Sequence, residues 1–309
     1  MKRNEVIKRY ERNPILTRND LKYEANSIFN PGAVRLKDGT TLLLCRIEDF
    51  RGVSHFVAAR SSNGIDNWQI DEKPTFIPEP DNFPEESLGI EDPRIVYLKE
   101  LDKYAITYTA LSSEGPAVAL AFTDDFKNFE KIGIILRPED KDAAILPEKI
   151  NAKWAIVHRP MKTTIGDIWI SYSEDLKHWG ESKLIFKARK GSWWDCTKVG
   201  LSTPLIKTEK GWLLLYHGVR KTASGALYRL GVALLDLNDP SKCIKRGDEW
   251  ILGPEESYER IGDVPNVVFP SGFTIQDDND TIYIYYGAAD TCIGLAITSI
   301  SKLLEYLGV

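Results

Sequence analysis

The sequence predicts an all-β protein, a five-bladed β-propeller, and three observations carry this prediction. Short apolar or alternating runs rich in Val, Ile, Tyr and Trp dominate the chain and are separated by Gly, Asp, Asn and Lys turns, a pattern typical of strands. A strand–turn–strand phrase occurs five times, and a second phrase follows each copy. The copies lie about 50 to 65 residues apart, which is the spacing of radially repeated sheets with three or four strands each.

The first phrase is a pair of apolar runs joined by a charged or Gly/Asn turn and followed by polar or small residues. Its copies are GAVRLKDGTTLLLCRIED, RIVYLKELDKYAITYTAL, AAILPEKINAKWAIVHRP, TPLIKTEKGWLLLYHGVR and GFTIQDDNDTIYIYYGAAD. Each copy therefore predicts two antiparallel strands of one blade.

The second phrase combines a small-residue strand, a Ser/Thr-Asp/Asn turn and an aromatic residue. In its first three copies the aromatic residue is Trp68, Phe129 or Trp179, and the last two copies, VALLDLNDPSKCI and LAITSISKLLEYL, are degenerate. A β-sandwich or jelly roll also contains many short strands, but neither fold requires one phrase to recur five times. The repeat therefore favours the propeller.

The composition is that of one globular domain. The chain has 309 residues, of which 43% are hydrophobic and 28% charged, enough for a sizeable core. We expect a single catalytic domain over residues 1–309, in which residues 1–20 form an N-terminal extension available for contact with a neighbouring subunit of a homo-oligomer. The net charge of −5, without a long Lys/Arg block, argues against nucleic acid as a partner.

The sequence contains no targeting or membrane signal that we recognise. The N-terminal stretch MKRNEVIKRYERNP is too polar for a signal peptide, and no apolar run approaches the roughly 18 residues of a membrane span. We therefore expect a cytoplasmic protein without a membrane partner. The four cysteines lie far apart and form no CxxC pair, which argues against a zinc site or a disulfide scaffold.

A propeller brings residues that are distant in sequence together, because the innermost strand of every blade runs along the central channel. Polar residues at the start of each first strand, or at the end of each second strand, should converge there. These residues are Asn30, Arg46, Glu48, Asp49, Glu91, Asp92, Arg94, Lys141, Asp142, His158, Arg159, Lys198, His217, Ser271 and Asp290. The sequence thus predicts a site made of carboxylates and of cations.

The cations of this set are Lys141, Arg159, Lys198 and His217. Several cations in one pocket repel one another unless an anion lies between them, and phosphate is the natural choice. The alternative for any one of these four side chains is a solvated charge at the rim of the channel that pairs with a neighbouring acid. A zinc site at His158 and His217 is another alternative, but it lacks a third ligand, and Arg159 would oppose a metal ion.

The carboxylates and the aromatic residues point to glycosidic-bond chemistry. Cleavage needs an acid that protonates the leaving oxygen, and an inverting hydrolase needs a second carboxylate as base for water. When bound phosphate attacks instead, one acid and a cationic site suffice. Trp193 or Trp194, in a loop before Lys198, is the best aromatic candidate for a sugar contact.

Six motifs resemble the β-mannoside phosphorylases of glycoside hydrolase family 130. They are FNPGAV, CRIEDFRG, GIEDPRIV, KDAAILPEKINAKWAIVHRP, KVGLSTPLIKTEKGWLLLYHGV and YYGAAD, in this order along the chain. The resemblance implies a five-bladed propeller and inverting phosphorolysis, in which a β-mannoside and inorganic phosphate give α-mannose 1-phosphate and a shortened acceptor. Phosphate is then a co-substrate, and no metal or other cofactor is implied.

The resemblance also implies roles for single residues. Asp92 is similar to the sole general acid of the family, which passes its proton through the 3-hydroxyl of the mannosyl residue. The residues that align with the family's phosphate site are Lys141, Arg159, Lys198 and His217, although some relatives carry Arg at the first position. The residues that align with mannosyl contacts are Asn30, Arg46 and Asp290.

The other two charged residues of LGIEDPRIVYL are assigned to substrate binding. Glu91 is expected to be a supporting hydrogen-bond partner, and Arg94 either holds a carboxylate in place or faces the sugar. Pro93 discourages a helix and keeps Asp92 at the start of an inner strand.

Two other functions remain open from the sequence. An inverting β-mannosidase would use Glu91 or Glu48 to activate water, as family members that have lost the phosphate-binding cations do. A propeller that only binds glycans or proteins would have structural channel charges. Neither the linkage, β-1,4 or β-1,2, nor the acceptor can be read from these residues, and we expect the acceptor to contact loops 78–89 and 187–197.

Overall fold

Five antiparallel sheets follow one another along the chain in a computed structural model that describes residues 3–162 and 165–309. The first two residues of the predicted N-terminal extension lie outside the described residues. The chain begins with helix α1 (Arg3–Val6) and strand β1 (Lys8–Arg9), and a short 3-10 helix (Arg18–Asp20) precedes the first blade. The predicted five-bladed β-propeller is confirmed.

The first three blades contain four or five strands each. Blade one has β2 (Ser27–Arg35), β3 (Thr41–Glu48), β4 (Ser54–Ser61) and β5 (Gln69–Ile70). After a 3-10 helix (Pro84–Glu86), blade two has β6 (Ile90–Leu98), β7 (Lys103–Ser112), β8 (Gly115–Thr123) and β9 (Glu130–Leu136). Blade three has β10 (Asp140–Ile145), β11 (Trp154–Lys162), β12 (Ile165–Gly166), β13 (Ile168–Ser173) and β14 (Gly180–Phe186).

The last two blades complete the ring. Blade four has β15 (Lys198–Leu201), β16 (Ile206–Thr208), β17 (Gly211–Thr222), β18 (Gly225–Leu235) and β19 (Cys243–Arg246). Helix α2 (Ser257–Arg260) precedes blade five, which has β20 (Val268–Ile275), β21 (Thr281–Ala288) and β22 (Cys292–Ser299), and helix α3 (Ile300–Leu307) ends the chain. None of the described helices is long and apolar enough to cross a membrane.

The N-terminal segment closes the ring. Strand β1 pairs antiparallel with β22 and so supplies the fourth, outermost strand of blade five. Arg9 of β1 also donates hydrogen bonds of 2.8 and 2.9 Å to both oxygens of the buried Glu259. The segment thus has a role within its own chain, and its contact with a neighbouring subunit stays a prediction.

The hydrophobic core consists of five clusters, one between each pair of adjacent blades. Both faces of every blade are therefore buried, which explains why the strands read as nearly continuous apolar runs. The packing removes from water the large side chains of residues such as Trp212, Tyr216 and Phe56. Burial on this scale makes the blades a rigid frame for the channel.

The second phrase of the sequence forms the same turn in each of the first three blades. The hydroxyls of Ser61, Thr123 and Ser173 accept hydrogen bonds from the backbone three residues later. In blades one and three the indoles of Trp68 and Trp179 each donate a 3.1 Å bond to a backbone carbonyl of that turn. The sequence repeat is thus a repeat of turn chemistry.

A bulge in the first strand of a blade aims side chains at the channel. The pairing register shifts at this point in β2, β6, β10 and β20. In the first three of these strands the bulge holds a residue with positive φ: Asn30 (42°), Asp92 (50°) and Asp142 (54°). Asn and Asp tolerate this conformation better than most residues, and bulges redirect side chains, often beside active sites.

Candidate active site

The three bulge residues meet in a cavity of about 180 Å³ at one end of the channel. Its lining residues are Asn30, Arg46, Asp92, Lys141, Asp142, Arg159, Lys198, His217, Tyr228, Val264, Val267, Phe269 and Asp290. The structure therefore brings together eight of the ten residues that the sequence singled out for catalysis or binding. The remaining two, Glu91 and Arg94, lie directly behind this lining.

Asp92 is a buried carboxylate of the cavity that is anchored at one oxygen. Its side chain is buried, and Oδ1 accepts hydrogen bonds from Asn30 Nδ2 at 2.8 Å and from Arg46 Nη1 at 3.1 Å. Within residues 3–162 and 165–309, Oδ2 accepts no hydrogen bond. The carboxylate thus has one anchored oxygen and one oxygen that can carry a proton.

An ion-pair chain surrounds Asp92. Arg46 Nη2 donates to Glu91 Oε1 at 3.0 Å, and Lys141 Nζ donates to Glu91 Oε2 at 3.3 Å. Glu91 therefore bridges two cations of the site, and one of them, Arg46, also donates to Asp92. The two acids thus share a cation, and the supporting role expected of Glu91 stays a prediction.

The charges around Asp92 decide its protonation. Burial alone would raise the pKa of the Asp92 carboxyl, but Arg46, Lys141 and Arg94 outweigh burial and hold the pKa below its ordinary value. Among the protein groups alone, Asp92 is therefore ionised at neutral pH. A general-acid role requires an added negative charge nearby that offsets these cations.

A second cluster of the cavity lining lies around Asp142. Arg159 Nη2 is 2.6 Å from Asp142 Oδ2, and His217 Nε2 is 3.5 Å from the same oxygen. Several buried polar atoms of this cluster make no hydrogen bond with the described part of the chain: Arg159 Nε and Nη1, His217 Nδ1 and Nε2, and Asp142 Oδ2. Unpaired buried polar atoms are costly, so this cluster is suited to a polar ligand.

His217 differs from the prediction in its charge. Burial, together with the neighbouring Arg159 and Lys198, lowers the pKa of its imidazole to about 3 against the opposing effect of Asp142. His217 is therefore neutral near pH 7 and not one of the cations that the sequence indicated. A neutral imidazole still offers one N–H donor to a ligand.

Because Gly200 has no side chain, the His217 imidazole can occupy the space beside it. A Cβ atom at residue 200 would lie 2.6 Å from His217 Cε1, 2.7 Å from Nε2 and 2.8 Å from Asp142 Oδ2. We expect Gly200→Ala to displace the imidazole and to raise the KM for phosphate about tenfold or more, as the loss of one hydrogen bond of the site would. Steady-state kinetics with varied phosphate measures this effect.

Gly180 provides the matched control for this substitution. It also lies in a strand, β14, and a Cβ atom there would meet no atom within 4 Å. Gly180→Ala should leave the KM for phosphate unchanged. An unchanged KM in Gly200→Ala would contradict the placement of His217 in the phosphate site.

Asp290 lies on the other side of Arg46 and is only partly exposed. Burial, opposed by Arg46 and reinforced by the carboxylates of Asp92, Glu91 and Glu48, raises the pKa of its carboxyl from 3.8 to about 7. The folded protein therefore holds a proton on Asp290 at a pH where the unfolded chain has released it. Stability from this group is complete at low pH and is lost as the pH rises towards 7.

We expect Asp290→Asn to remove this pH dependence. Between about pH 4 and pH 7 the free energy of unfolding of the wild type should fall relative to that of the variant, by at most about 4 kcal/mol because Asp290 is partly solvated. Urea unfolding of both proteins across this pH range measures the difference. A difference that does not change with pH would show that Asp290 is ionised throughout.

Arg94 acts behind the cavity wall. Its guanidinium is 1% exposed and donates to the carbonyls of Ser202 at 2.8 Å, Leu201 at 2.9 Å and Asp92 at 3.0 Å, and to Asp142 Oδ1 at 3.4 Å. These bonds tie blade two to blade four beneath the site. Of its two expected roles, holding a carboxylate fits this geometry better than facing the sugar, since Arg94 does not line the cavity.

Several residues that the sequence directed to the channel lie elsewhere. The imidazole of His158 accepts or donates at both nitrogens, 2.6 Å from Asp140 Oδ2 and 2.8 Å from Ser171 Oγ, inside blade three. Ser271 donates to the Pro31 carbonyl at 3.1 Å, and Asp49 binds Arg51 in a loop. His158 and the adjacent Arg159 face opposite sides of β11, which separates His158 from His217 and argues against a shared zinc ion.

The two tryptophans of the loop before Lys198 do not line the cavity either. Trp194 is buried and stacks on Tyr216 with ring centroids 5.6 Å apart. Trp193 is 42% exposed, and the Arg189 guanidinium lies 4.2 Å from its ring centroid. A sugar contact by Trp193 stays a prediction for the part of the substrate outside the cavity.

Sequence reasoning missed the apolar wall of the cavity. Val264, Val267 and Phe269 come from the segment before β20 and its start, and Tyr228 comes from β18. The signal for Phe269 was present, because VFPSG at residues 268–272 is similar to IFNPG at 28–32, where Phe29 lies under the Arg46 guanidinium. Nothing in the local sequence of Tyr228 marks it.

A larger cavity, of about 400 Å³, lies away from these groups. It is lined by the later parts of the first strands, including Ala33–Arg35 and Ile95–Tyr97, and by Phe273–Ile275. Its wall is mainly apolar and contains no group of carboxylates facing cations. The chemistry therefore belongs to the smaller cavity.

The fold and the site together define a five-bladed β-propeller whose channel holds one anchored carboxylate opposite a set of basic side chains. A family model described as β-1,4-mannooligosaccharide phosphorylase, glycoside hydrolase family 130, matches residues 1–308. The chain belongs to this family, as the sequence motifs indicated.

Individual relatives agree with this assignment. The 1,2-β-oligomannan phosphorylase of Thermoanaerobacter sp. (strain X514) is 37% identical over 308 residues, which are 96% of this chain and 98% of the relative. The β-1,4-mannooligosaccharide phosphorylase of Ruminococcus albus is 33% identical over 312 residues, 98% of this chain and 91% of the relative. The structure of a β-1,2-mannobiose phosphorylase from Listeria innocua in complex with β-1,2-mannobiose superimposes with a TM-score of 0.88 at 34% identity, covering 98% of this chain and 99% of that one.

Proposed function

We propose that this protein is an inverting β-mannoside phosphorylase, a hexosyltransferase in which Asp92 is the only general acid. It cleaves a β-mannoside with inorganic phosphate and releases α-mannose 1-phosphate and a shortened acceptor. Its similarity to phosphorylases of β-1,2- and β-1,4-mannosides supports the activity. The observation that carries the mechanism is that one anchored acid and a cluster of buried, unpaired donors line a single cavity.

Phosphate fits the unpaired donors. Arg159 presents Nε and Nη1 without partners in the described part of the chain, His217 supplies an N–H, and Lys198 and Lys141 add charge from two sides of the cavity. An arginine fork and lysine point charges are the usual ligands of a phosphate dianion. Inversion requires this phosphate to attack the anomeric carbon on the face of the mannosyl ring opposite the leaving oxygen.

The proton of Asp92 completes the reaction. A phosphate oxygen forms a bond to the anomeric carbon, the glycosidic C–O bond breaks, and the leaving oxygen takes the proton that Asp92 Oδ2 gives, through the 3-hydroxyl of the mannosyl residue as the family resemblance implies. Asn30 and Arg46 hold Oδ1 in place during this transfer. Since phosphate is already an anion, no protein base is required.

Bound phosphate also explains how Asp92 can be protonated although cations surround it. The cations that hold the pKa of Asp92 low include Lys141, which lies in the proposed phosphate site. A dianion beside Lys141 and Arg159 offsets their charge, and the sugar displaces water from the carboxyl. Both changes raise the pKa of Asp92 and favour the protonated acid.

A hydrolytic mechanism fits this site less well. The base of an inverting hydrolase would be Glu91 or Glu48, but both oxygens of Glu91 pair with cations, and Glu48 lies 3.5 Å from Arg46. Carboxylate oxygens that are held by cations are not free to position a water molecule for attack. The Asp142, Arg159 and His217 cluster would also have no use in hydrolysis.

A phosphate-dependence assay tests the proposed function. The protein is incubated with β-1,2- and β-1,4-mannobiose, with and without inorganic phosphate, and the products are separated. Mannose 1-phosphate should accumulate only with phosphate, and release of free mannose at the same rate without phosphate would refute the proposal. The reverse reaction, with mannose 1-phosphate as donor and glucose, N-acetylglucosamine, mannose or mannobiose as acceptor, then identifies acceptor and linkage. The cytoplasmic location and the homo-oligomer stay predictions.

A further inference from the structure

Asp142 is a carboxylate in the middle of a proposed anion site. Its side chain is fully buried, at the bulge of β10, and it lines the cavity together with Lys141, Arg159 and His217. A carboxylate repels a phosphate dianion, so its place among the phosphate-binding groups needs a reason. Charge compensation is part of it, because Asp142 lies close to Arg94 and Arg159.

Charge compensation does not use the full hydrogen-bonding capacity of this carboxylate. Oδ1 accepts a bond from Arg94 Nη2 at 3.4 Å, whereas the buried Oδ2 lies 2.6 Å from Arg159 Nη2 but accepts no hydrogen bond of good geometry within residues 3–162 and 165–309. The unpaired Nε2 of His217 lies 3.5 Å from Oδ2, and Nε and Nη1 of Arg159 are also unpaired. A buried acceptor among unpaired donors suits a ligand that both accepts and donates hydrogen bonds.

Asp142 is held in its ionised form, which can only accept hydrogen bonds. Burial alone would raise the pKa of its carboxyl, but cations led by Arg159, with Arg94 and Lys141, outweigh burial and hold the pKa well below its ordinary value. The carboxylate is therefore ionised across the range in which enzymes of this kind work. An ionised carboxylate cannot donate a proton to an anion and can only accept one in a hydrogen bond.

We propose that Asp142 is a specificity-determining residue whose Oδ2 accepts a hydrogen bond from the P–OH group of monohydrogen phosphate. The site then admits a tetrahedral oxyanion that carries a proton and rejects dianions that carry none, such as sulfate. This inference rests on the proposed function, because it concerns the phosphate of that reaction. It adds a selectivity that the cations alone do not provide, since they attract every dianion.

The reaction remains balanced with this proton in place. Protonated Asp92, HPO₄²⁻ and the β-mannoside give ionised Asp92, the monohydrogen form of α-mannose 1-phosphate and the free acceptor hydroxyl. The proton that Asp142 recognises stays on the phosphoryl group throughout. The proton that the acceptor gains comes from Asp92, which solvent then protonates again.

Anion competition on the wild-type protein tests the inference. Phosphate and arsenate carry a proton in weakly alkaline buffer, whereas sulfate and monofluorophosphate are dianions of similar size without one. Each anion is tested as a competitor of phosphate in phosphorolysis, and by calorimetry for binding to the protein alone. We expect arsenate to bind like phosphate, and sulfate and monofluorophosphate to bind about 100-fold more weakly, because they leave Oδ2 buried against an oxygen or fluorine without a donor.

Asp142→Asn identifies the residue responsible. The amide can donate to sulfate, so the ratio of sulfate to phosphate dissociation constants should fall at least tenfold, whereas a merely structural role would weaken both anions alike. Lys198→Met is the matched control, because loss of a cation should weaken both anions and leave the ratio unchanged. If Asp142→Asn does not fold, the wild-type competition decides alone.

Two results would overturn the inference. The first is equal affinity of the wild type for phosphate, sulfate and monofluorophosphate, and the second is an unchanged ratio in folded Asp142→Asn. Either result, together with normal phosphate-dependent formation of mannose 1-phosphate, refutes the role of Asp142 and leaves the proposed function standing. Absence of phosphate binding and of mannose 1-phosphate refutes the proposed function itself.

Discussion

Asp92→Asn is expected to lower kcat for an unactivated β-mannoside about a thousandfold, since the variant loses the proton donor of the reaction. The fold should persist, because Asn can still accept the bonds of 2.8 and 3.1 Å that Asn30 and Arg46 make to Oδ1. Initial rates of mannose 1-phosphate formation at saturating phosphate measure the effect. A glycan-binding propeller would show no turnover to lose.

A substrate with an activated leaving group separates acid catalysis from positioning. An aryl β-mannoside such as the 4-nitrophenyl mannoside needs little protonation of its leaving oxygen, so Asp92→Asn should lose far less activity towards it than towards mannobiose. Glu91→Gln is the matched control, because Glu91 pairs with Arg46 and Lys141 and gives no proton to the substrate. Glu91→Gln should lose the same fraction of its activity towards the aryl mannoside as towards mannobiose. Equal losses on both substrates in Asp92→Asn would contradict the acid role.

Lys198→Met is expected to raise the KM for phosphate about 10- to 100-fold, the value of one hydrogen bond between charged groups. Lys198 is the suitable cation for this test, because it forms no ion pair with a carboxylate in the described part of the chain. Its Nζ lies 5.2 Å from the centroid of the Tyr228 ring, and both residues line the cavity. Its removal leaves no buried acid without a partner, so the free energy of unfolding should stay within about 0.5 kcal/mol of the wild type. Varied-phosphate kinetics and urea unfolding measure the two quantities.

Lys207→Met controls for the loss of a positive charge. Lys207 is a partly exposed lysine that pairs with Glu148 and lies outside the small cavity. Its replacement should leave the KM for phosphate unchanged. If both variants raise the KM by the same factor, the effect is general electrostatics, and the assignment of Lys198 to the phosphate site is wrong.

Much of the fold could be predicted because each blade repeats local chemistry. The Ser/Thr turn and the Trp or Phe that follows it occur in the first three copies of the second phrase, and the structure shows the same hydrogen bonds there. In blades four and five the second phrase is degenerate in sequence, so only the first phrase revealed them, although Asp236 and Ser299 also accept bonds from the backbone three residues later. The pairing of β1 with β22 was not predicted, since a strand of two residues carries no periodicity.

The site residues could be predicted because the propeller fixes where each first strand begins. Asn30 and Asp92 were found this way, and the structure adds the shared bulge with positive φ that aims them. The neutral state of His217 could not be predicted, because it follows from burial and from cations that belong to other blades. The position of Arg94 behind the wall likewise depends on carbonyls of blade four.

The central claim is that bound phosphate attacks the anomeric carbon while Asp92 protonates the leaving oxygen. Phosphorolysis of β-mannobiose with ¹⁸O-labelled phosphate, followed by nuclear magnetic resonance of the product, tests it most directly. The account predicts α-mannose 1-phosphate with ¹⁸O in the bridge between C1 and phosphorus, and an acceptor that keeps its unlabelled oxygen. Free mannose with oxygen from solvent, or a β-anomeric phosphate, would contradict it.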